Sequence, residues 1–311
     1  MRCTALTASL CVMLTACAFT PAASAQDSSV PDDRIAATVD GEPIYAREVE
    51  RELARVVGKR KIEPAALTAL REKARSQLVD RRLILAYLAD KGLAASSQDI
   101  DLAIGRVRKQ LAQQEVSLED YVKDAGMSMD EFRHTLNWQI SWRRYLQKFI
   151  TDDNLQRYFD KHRRQFDGTE IRVAHILFKV TPRNDEAALS DAIARAEQLR
   201  QQILSGEMSF ADAAREHSDA PTGANGGDIG FITRHQPMPE PFSQAAFALD
   251  KGQTSQPVVS PVGVHLIQCL EIKPGKNTWQ DVRTKLVPAV TLYLFEWVAE
   301  QQRPKATVEI K

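Results

Sequence analysis

The chain of 311 residues is poor in cysteine and has no charge excess of either sign. Beyond its first residues it lacks any apolar run approaching the ~18 residues of a membrane span. Lys plus Arg number 41, as do Asp plus Glu. That balance argues against a nucleic-acid binder driven by phosphate contacts, which would need a basic excess. Three of the four cysteines, Cys3, Cys11 and Cys17, sit at the N-terminus. There Arg2 precedes an apolar run over residues 5–19, followed by Pro21 and the small residues Ala23-Ser24-Ala25, the pattern of an export signal cut after Ala25. A competing pattern, Leu14-Thr15-Ala16-Cys17, is that of a lipoprotein signal and would leave Cys17 as a lipidated N-terminus tethered to a membrane. Either cut places the mature protein outside the cytoplasm, periplasmic or otherwise extracytoplasmic. With the first cut only Cys269 remains, so stability comes from packed cores and not from an intrachain disulfide.

Two further absences divide the chain. Residues 65–181 contain no proline and carry helical periodicity with repeated start signals. Leu67, Leu70, Ala74 and Leu78 mark one helix, ended at Gly92. Ile104, Val107 and Leu111 mark a second. Ser128 with Glu131 forms a capping box ahead of Phe132, Leu136 and Ile140, and Thr151 starts another helix. Before these, residues 35–44 read as a strand, an Asp40-Gly41 turn and a return strand. Residues 170–274 hold none of the Trp or Tyr, yet eight of the fourteen prolines and seven of the fourteen glycines. This stretch reads as a strand (171–180), a helix (185–204), a short helix capped by Ser209 and Asp212, a short strand (228–231), a helical turn (242–249) and a closing hairpin to residue 272. Residues 278–302 return to helix, and 306–310 form a strand with no local partner.

Lone strand edges are rarely left open, so the N-terminal hairpin and the last strand are expected to pair. The fold class is therefore α+β, with a helical domain built from both termini and an inserted module of helices beside a four-stranded antiparallel sheet. The expected division is a signal (1–25), the N-terminal part of the helical domain (26–168), the module (169–274) and a C-terminal helix and strand completing the helical domain (275–311).

The module carries Ala174-His175-Ile176-Leu177, Ser205-Gly206 leading to Ser209-Phe210, Gly226-Gly227-Asp228-Ile229-Gly230-Phe231, Pro241-Phe242 through Ala246-Phe247, and Gly263-Val264-His265-Leu266-Ile267. In order and spacing it resembles a parvulin-type (PpiC-like) peptidyl-prolyl cis-trans isomerase. The flanks, with Val39-Asp40-Gly41-Glu42-Pro43-Ile44 and the terminal strand, resemble the chaperone domain of SurA and PrsA proteins. The resemblance implies a foldase that accelerates X-Pro isomerisation in unfolded or nascent exported polypeptides, with no cofactor, metal or nucleic acid.

Such a reaction breaks no bond. The obstacle is amide resonance, a barrier of ~18–20 kcal/mol that makes the uncatalysed step take tens to hundreds of seconds. A site that desolvates the carbonyl and holds the twisted amide better than the planar one lowers that barrier, and about 4 kcal/mol of preference gives a thousandfold. The resemblance supplies candidates: His175, His265 and Ser260 as the polar catalytic group, with Ile229, Met238 and Phe242 as the proline pocket. Plainer readings stand beside them. Strand alternation puts His175 with Ile171, Val173 and Leu177, and His265 with Ile267 and Cys269, so both can be core histidines joined by a hydrogen bond. Met238 and Phe242 can be simple packing. His175, His265 and Cys269 make only a loose set for zinc. His134 and His162 read as solvated, and His217 and His235 have no assigned role.

One position departs from the resemblance. The usual Asp or Cys falls on Ala220, within Ser218-Asp219-Ala220-Pro221, a segment that reads as an exposed turn. Ser218 or Asp219 is the nearest substitute. The alternative function is thus a non-catalytic holdase that binds unfolded chains through its helical domain, which carries Trp138, Trp142, Trp279 and Trp297.

Overall fold

A computed structural model describes residues 33–181 and 185–311. The expected signal, its cut after Ala25 and the Cys17 alternative lie outside the described residues. Strands β1 (Ile35–Val39) and β2 (Glu42–Tyr45) form an antiparallel hairpin. Asp40 and Gly41 both take positive φ, 50° and 86°, as a two-residue turn matched to strand twist requires. The last strand, β7 (Val308–Ile310), pairs antiparallel with β1, Val39 opposite Val308, giving the order β2-β1-β7. Asp40 binds Thr307 twice: its N–H donates to the Thr307 carbonyl and its Oδ1 accepts from the Thr307 N–H, each at 2.8 Å. The expected pairing of the two ends is present.

Helix α1 (Ala46–Val57) follows β2 directly and is absent from the periodicity reading, because it fully buries only Val49 and Leu53 among its apolar residues, with Val57 packed at the margin. Its buried Glu48 and Glu52 are neutralised by Arg82 at 3.2 Å and Arg81 at 2.7 Å. Those arginines belong to α2 (Pro64–Asp90), so ion pairs fasten α1 where apolar contact is thin. Next come α3 (Ser97–Ala112), α4 (Leu118–Asp124), α5 (Met129–Phe149), α6 (Asp152–Lys161) and α7 (Arg163–Phe166). The Ser128/Glu131 capping box forms as expected, as does the Thr151 cap. Trp138 and Trp142 stack at 5.4 Å beside Tyr145 and Phe295, so the core reading holds for these two. Trp297 is 42% exposed.

Residues 170–273 make the second layer. Strands β3 (Glu170–Lys179), β4 (Asp228–Thr233), β5 (Val258–Ser260) and β6 (Gly263–Lys273) form one antiparallel sheet in the order β4-β3-β6-β5. Alternation sorts the sheet's two faces. Ala174, Ile176, Phe178, Val264 and Leu266 pack under α8 (Glu186–Ser205) and α9 (Phe210–His217). Ile171, Val173, Ile267 and Cys269 pack under α10 (Glu240–Phe247). Glu170 pairs with Lys273, and Asn277 N–H donates to the Asp167 carbonyl at 2.9 Å, so the ends of this segment lie side by side. The last helix, α11 (Arg283–Gln302), starts later than residue 278, because Thr278 is held in a turn by Asp281 Oδ2, 2.8 Å from its N–H. It returns to the helical domain, where Leu286 and Val290 meet Leu155 and Phe159. Among the described residues no helix is long and apolar enough to cross a membrane.

Candidate active site

The two central strands bring the two histidines together. His175 stands opposite Ile267, and His265 opposite Leu177, which puts both side chains on the α10 face. The rings lie nearly parallel, 18° apart in plane, with Nδ1 of His175 3.3 Å from Nδ1 of His265. His175 Nε2 lies 3.1 Å from Thr222 Oγ1, and His265 Nε2 lies 2.7 Å from Ser260 Oγ. Ser260 Oγ also accepts the Val262 N–H at 3.2 Å. The four groups form one unbranched chain, Thr222–His175–His265–Ser260, that uses all four ring nitrogens. No lone pair is left aimed at a metal, and Cys269 Sγ turns away toward the Glu271 carbonyl, 3.8 Å off.

A hydrogen bond between two Nδ1 atoms needs one donor and one acceptor, so when both rings are neutral they carry opposite tautomers. A proton added to the ring whose Nδ1 accepts would set N–H against N–H. Burial lowers the pKa of His175. Burial, and then repulsion from His175, push His265 down to about 4. The unfolded chain, with histidines near 6.5, therefore binds more protons than the folded one between about pH 6.5 and about 4, and stability falls as pH falls through that window. We expect the melting temperature of the α+β segment to drop on acidification from pH 7 to 4. Replacing both histidines with Asn is expected to flatten that slope, which far-UV circular dichroism would measure.

Phe242 meets both imidazoles edge to face, at 5.7 and 5.3 Å between centroids. It is fully buried, so it underlies the pair, while half-buried Ile229 and Met238 pack at its margin. Met238 rides on the loop between β4 and α10. That loop is closed by a two-pronged ion pair in which Arg234 Nη1 and Nη2 donate to Glu240 Oε2 and Oε1 at 2.8 and 2.5 Å. All six residues expected from the sequence thus collect on one face of one sheet: a polar chain over an apolar bed.

The surroundings of residue 220 differ from expectation. Ala220 is 8% exposed, although Asp219 and Pro221 on either side of it are exposed as expected, because the segment is laced to β3. Asp219 N–H donates to the Leu177 carbonyl at 2.8 Å, Asp219 Oδ2 accepts from Lys179 N–H at 2.8 Å, and Ser218 Oγ accepts from Leu177 N–H at 3.1 Å. Ser218 and Asp219 are therefore committed to the backbone of β3. The polar group that reaches His175 is Thr222, two residues beyond Ala220. Its position in the 3-10 turn of residues 221–225 gives no periodic signal, so the sequence pattern does not point to it. Of the other histidines, His134 is exposed. His162, expected to be solvated, is half-buried against Tyr158, 4.4 Å between ring centroids, because α6 turns that face onto α11.

Residues 175–271 match the family described as PPIC-type PPIASE domain, and residues 2–146 match the SurA-like N-terminal domain. A Chaperone SurA of Aromatoleum aromaticum is 30% identical over 274 residues, covering 84% of this chain and 61% of its own. A Chaperone SurA of a Polaromonas species is 36% identical over 115 residues, 37% of this chain and 24% of its own. The solved structure of peptidylprolyl isomerase PrsA from Bacillus anthracis is 21% identical, covering 74% of this chain and 95% of its own with a TM-score of 0.37. The chain spans about six-tenths of the length of curated relatives it matches along most of its length.

Proposed function

We propose, from the premise that this chain joins a SurA-like N-terminal domain to a PPIC-type PPIase domain, that it is an extracytoplasmic foldase accelerating X-Pro isomerisation in unfolded exported polypeptides. The observation that carries this reading is the buried histidine pair capped by two hydroxyls and set beside Ile229 and Met238. A proline ring rests against the apolar margin, and the hydroxyl-capped chain faces the amide. Water is kept from the carbonyl, and the twisted form, whose carbonyl has lost conjugation, is held more tightly than the planar one. No proton need leave the enzyme, which suits histidines that stay neutral. Export through the N-terminal signal, with either a soluble or a Cys17-tethered product, belongs to this reading. So does a separately folding module over residues 169–274, whose adjoining ends suit an insertion.

The test is isomerisation of an Ala-Pro tetrapeptide by the full chain, together with refolding of a proline-limited client. We expect catalysis well above the spontaneous rate in both assays, and a loss of about tenfold in turnover for Ser260→Ala, which is about 1.4 kcal/mol. A second reading is favoured by one observation, the apolar residue at 220: a holdase with a silent PPIase domain. That reading requires wild type to suppress aggregation of an unfolded, proline-free chain while leaving the tetrapeptide rate unchanged.

A further inference from the structure

Away from the histidines, helices α6 and α11 enclose a cavity of about 290 Å³ that opens to solvent. Ligand pockets run from roughly 300 to 1,000 Å³, so this one admits a single side chain and not a folded surface. Its wall is apolar and aromatic: Phe149 at the end of α5, Tyr158 on α6, and Val290, Tyr293 and Leu294 on one face of α11. Tyr158 and Tyr293 stand 5.7 Å apart between ring centroids. Tyr293 keeps 44% of its surface exposed, which leaves an aromatic surface free for a guest.

Arg157 and Lys161 border the same cavity, one helical turn apart on α6 and hence on one side of it. Both are exposed, and no residue of the cavity wall is acidic. The neighbouring carboxylates of α6 are engaged elsewhere, Asp160 with Arg163 and Asp152 with Arg283. Arg157 gives only its Nε–H, to the Asp153 carbonyl at 3.3 Å. The Tyr158 hydroxyl is pushed up by burial, then by Tyr293 and Glu296, yet among the described residues Glu296 makes no ion pair with either cation. Burial and the adjacent Lys161 lower the His162 pKa, so at neutral pH the charge at the opening comes from Arg157 and Lys161. Two cations without a carboxylate, set over an apolar wall, match an anion carried on an apolar body.

We propose that this cavity holds the carboxyl terminus of an unfolded polypeptide, with an apolar last side chain against Phe149, Tyr158 and Tyr293 and the terminal carboxylate between Arg157 and Lys161. Only at the last residue of a chain do an apolar side chain and a carboxylate leave the same Cα; elsewhere neutral amides flank the side chain. Such a site rests on the reading of this chain as a foldase for unfolded polypeptides, and it selects which part of the client is held. None of its residues belongs to the PPIC-type segment 175–271.

The test uses the full-length protein and a short, proline-free peptide with uncharged side chains, ending in leucine and carrying an N-terminal fluorophore. Fluorescence anisotropy compares its free acid with its amide. The acid is expected to bind roughly five- to tenfold more tightly at low salt, the sum of two partly exposed ion pairs, and the difference should shrink as salt screens them. Arg157→Gln with Lys161→Gln should bring the acid to the affinity of the amide and leave the amide unchanged. Arg106→Gln with Lys109→Gln, which removes the same charge from exposed positions of α3, should keep the preference. Tyr293→Ala should weaken both peptides. Equal binding of acid and amide by wild type overturns the proposal, and that comparison needs no variant to fold. So does a preference that survives the loss of Arg157 and Lys161, or one that the α3 pair abolishes equally. An amide with glutamate beside its leucine that binds as tightly as the acid would assign the cavity to internal acidic segments and overturn the terminal reading. Wild type that sediments with phosphatidylglycerol vesicles and shows no acid–amide difference would assign the two cations to a membrane surface instead. Because the peptides hold no proline, a protein that shows the preference without isomerase turnover removes the catalytic reading and leaves this site. Turnover without the preference removes this site alone.

Discussion

Phe242→Ala is expected to destabilise the PPIC-type domain by about 3–5 kcal/mol, the cost of emptying a fully buried aromatic site whose walls relax only in part. Phe242 has no exposed surface and packs with Val173, Ile267, Ala246 and Phe247 as well as both imidazoles. For a segment of this size the loss corresponds to a fall in melting temperature of about 12 °C or more. The sequence supplies a way to localise the effect. All four tryptophans lie outside residues 169–274, so tryptophan fluorescence follows the helical domain, while imidazole NMR signals of His175 and His265 follow the sheet. In the full-length variant the imidazole transition should move and the tryptophan transition should stay. Phe242→Leu, which fills most of the volume, should lose far less. A midpoint within about 1 kcal/mol of wild type would mean that the ring is not a core element. Coincident movement of both probes would mean that the two domains unfold as one. Turnover is expected to fall in step with the folded fraction and then further, since Ile229 and Met238 lose the surface they rest on.

The parts of this site that were legible in the sequence are those carried by strand alternation and by turns with fixed chemistry. His175 and His265 share a face because β3 and β6 have period two and sit side by side, and the hairpin at Asp40-Gly41 announces itself. The pairing of β1 with β7 followed from two unsatisfied edges. Thr222 was not legible, because a 3-10 turn of five residues has no face to count along. Ala220 was misjudged for a related reason. Proline and glycine mark a turn, and turns are usually at the surface, but here Ser218 and Asp219 spend their polar groups on β3 and draw the following residue inward. For Phe242 the sequence left both readings open, pocket and core packing, and the structure places it fully buried beneath the histidines. Helix α1 escaped notice because it interleaves its few buried apolar residues with buried Glu48 and Glu52, which pair with arginines of α2.

Gly227→Ala should be the more damaging of two substitutions that look alike in sequence, and its comparison with Gly230→Ala separates crowding from backbone strain. Both glycines have positive φ, 79° and 76°, so each alanine costs about 1–2 kcal/mol for entering the left-handed region. A Cβ at Gly230 would meet nothing within 4 Å, whereas one at Gly227 would lie 2.4 Å from the His175 carbonyl oxygen and 3.1 Å from the His175 nitrogen. Backbone of a central strand cannot yield as a flexible side chain can. Overpacking therefore adds roughly 1–3 kcal/mol, and β4 must part from β3 at the hydrogen bond from His175 N–H to the Gly227 carbonyl. The same displacement loosens the Gly227 N–H from the Thr222 carbonyl and so draws Thr222 Oγ1 away from the ring. Denaturation midpoints of the two full-length variants should differ by about 1–3 kcal/mol, with Gly227→Ala the lower. The imidazole NMR signals of His175 in Gly227→Ala should shift from those of wild type, while Gly230→Ala keeps them. Equal midpoints would show that positive φ alone governs this turn and that the close approach to His175 is relieved at no cost. A Gly227→Ala protein with the wild-type imidazole signals would show that the turn does not hold Thr222 in place.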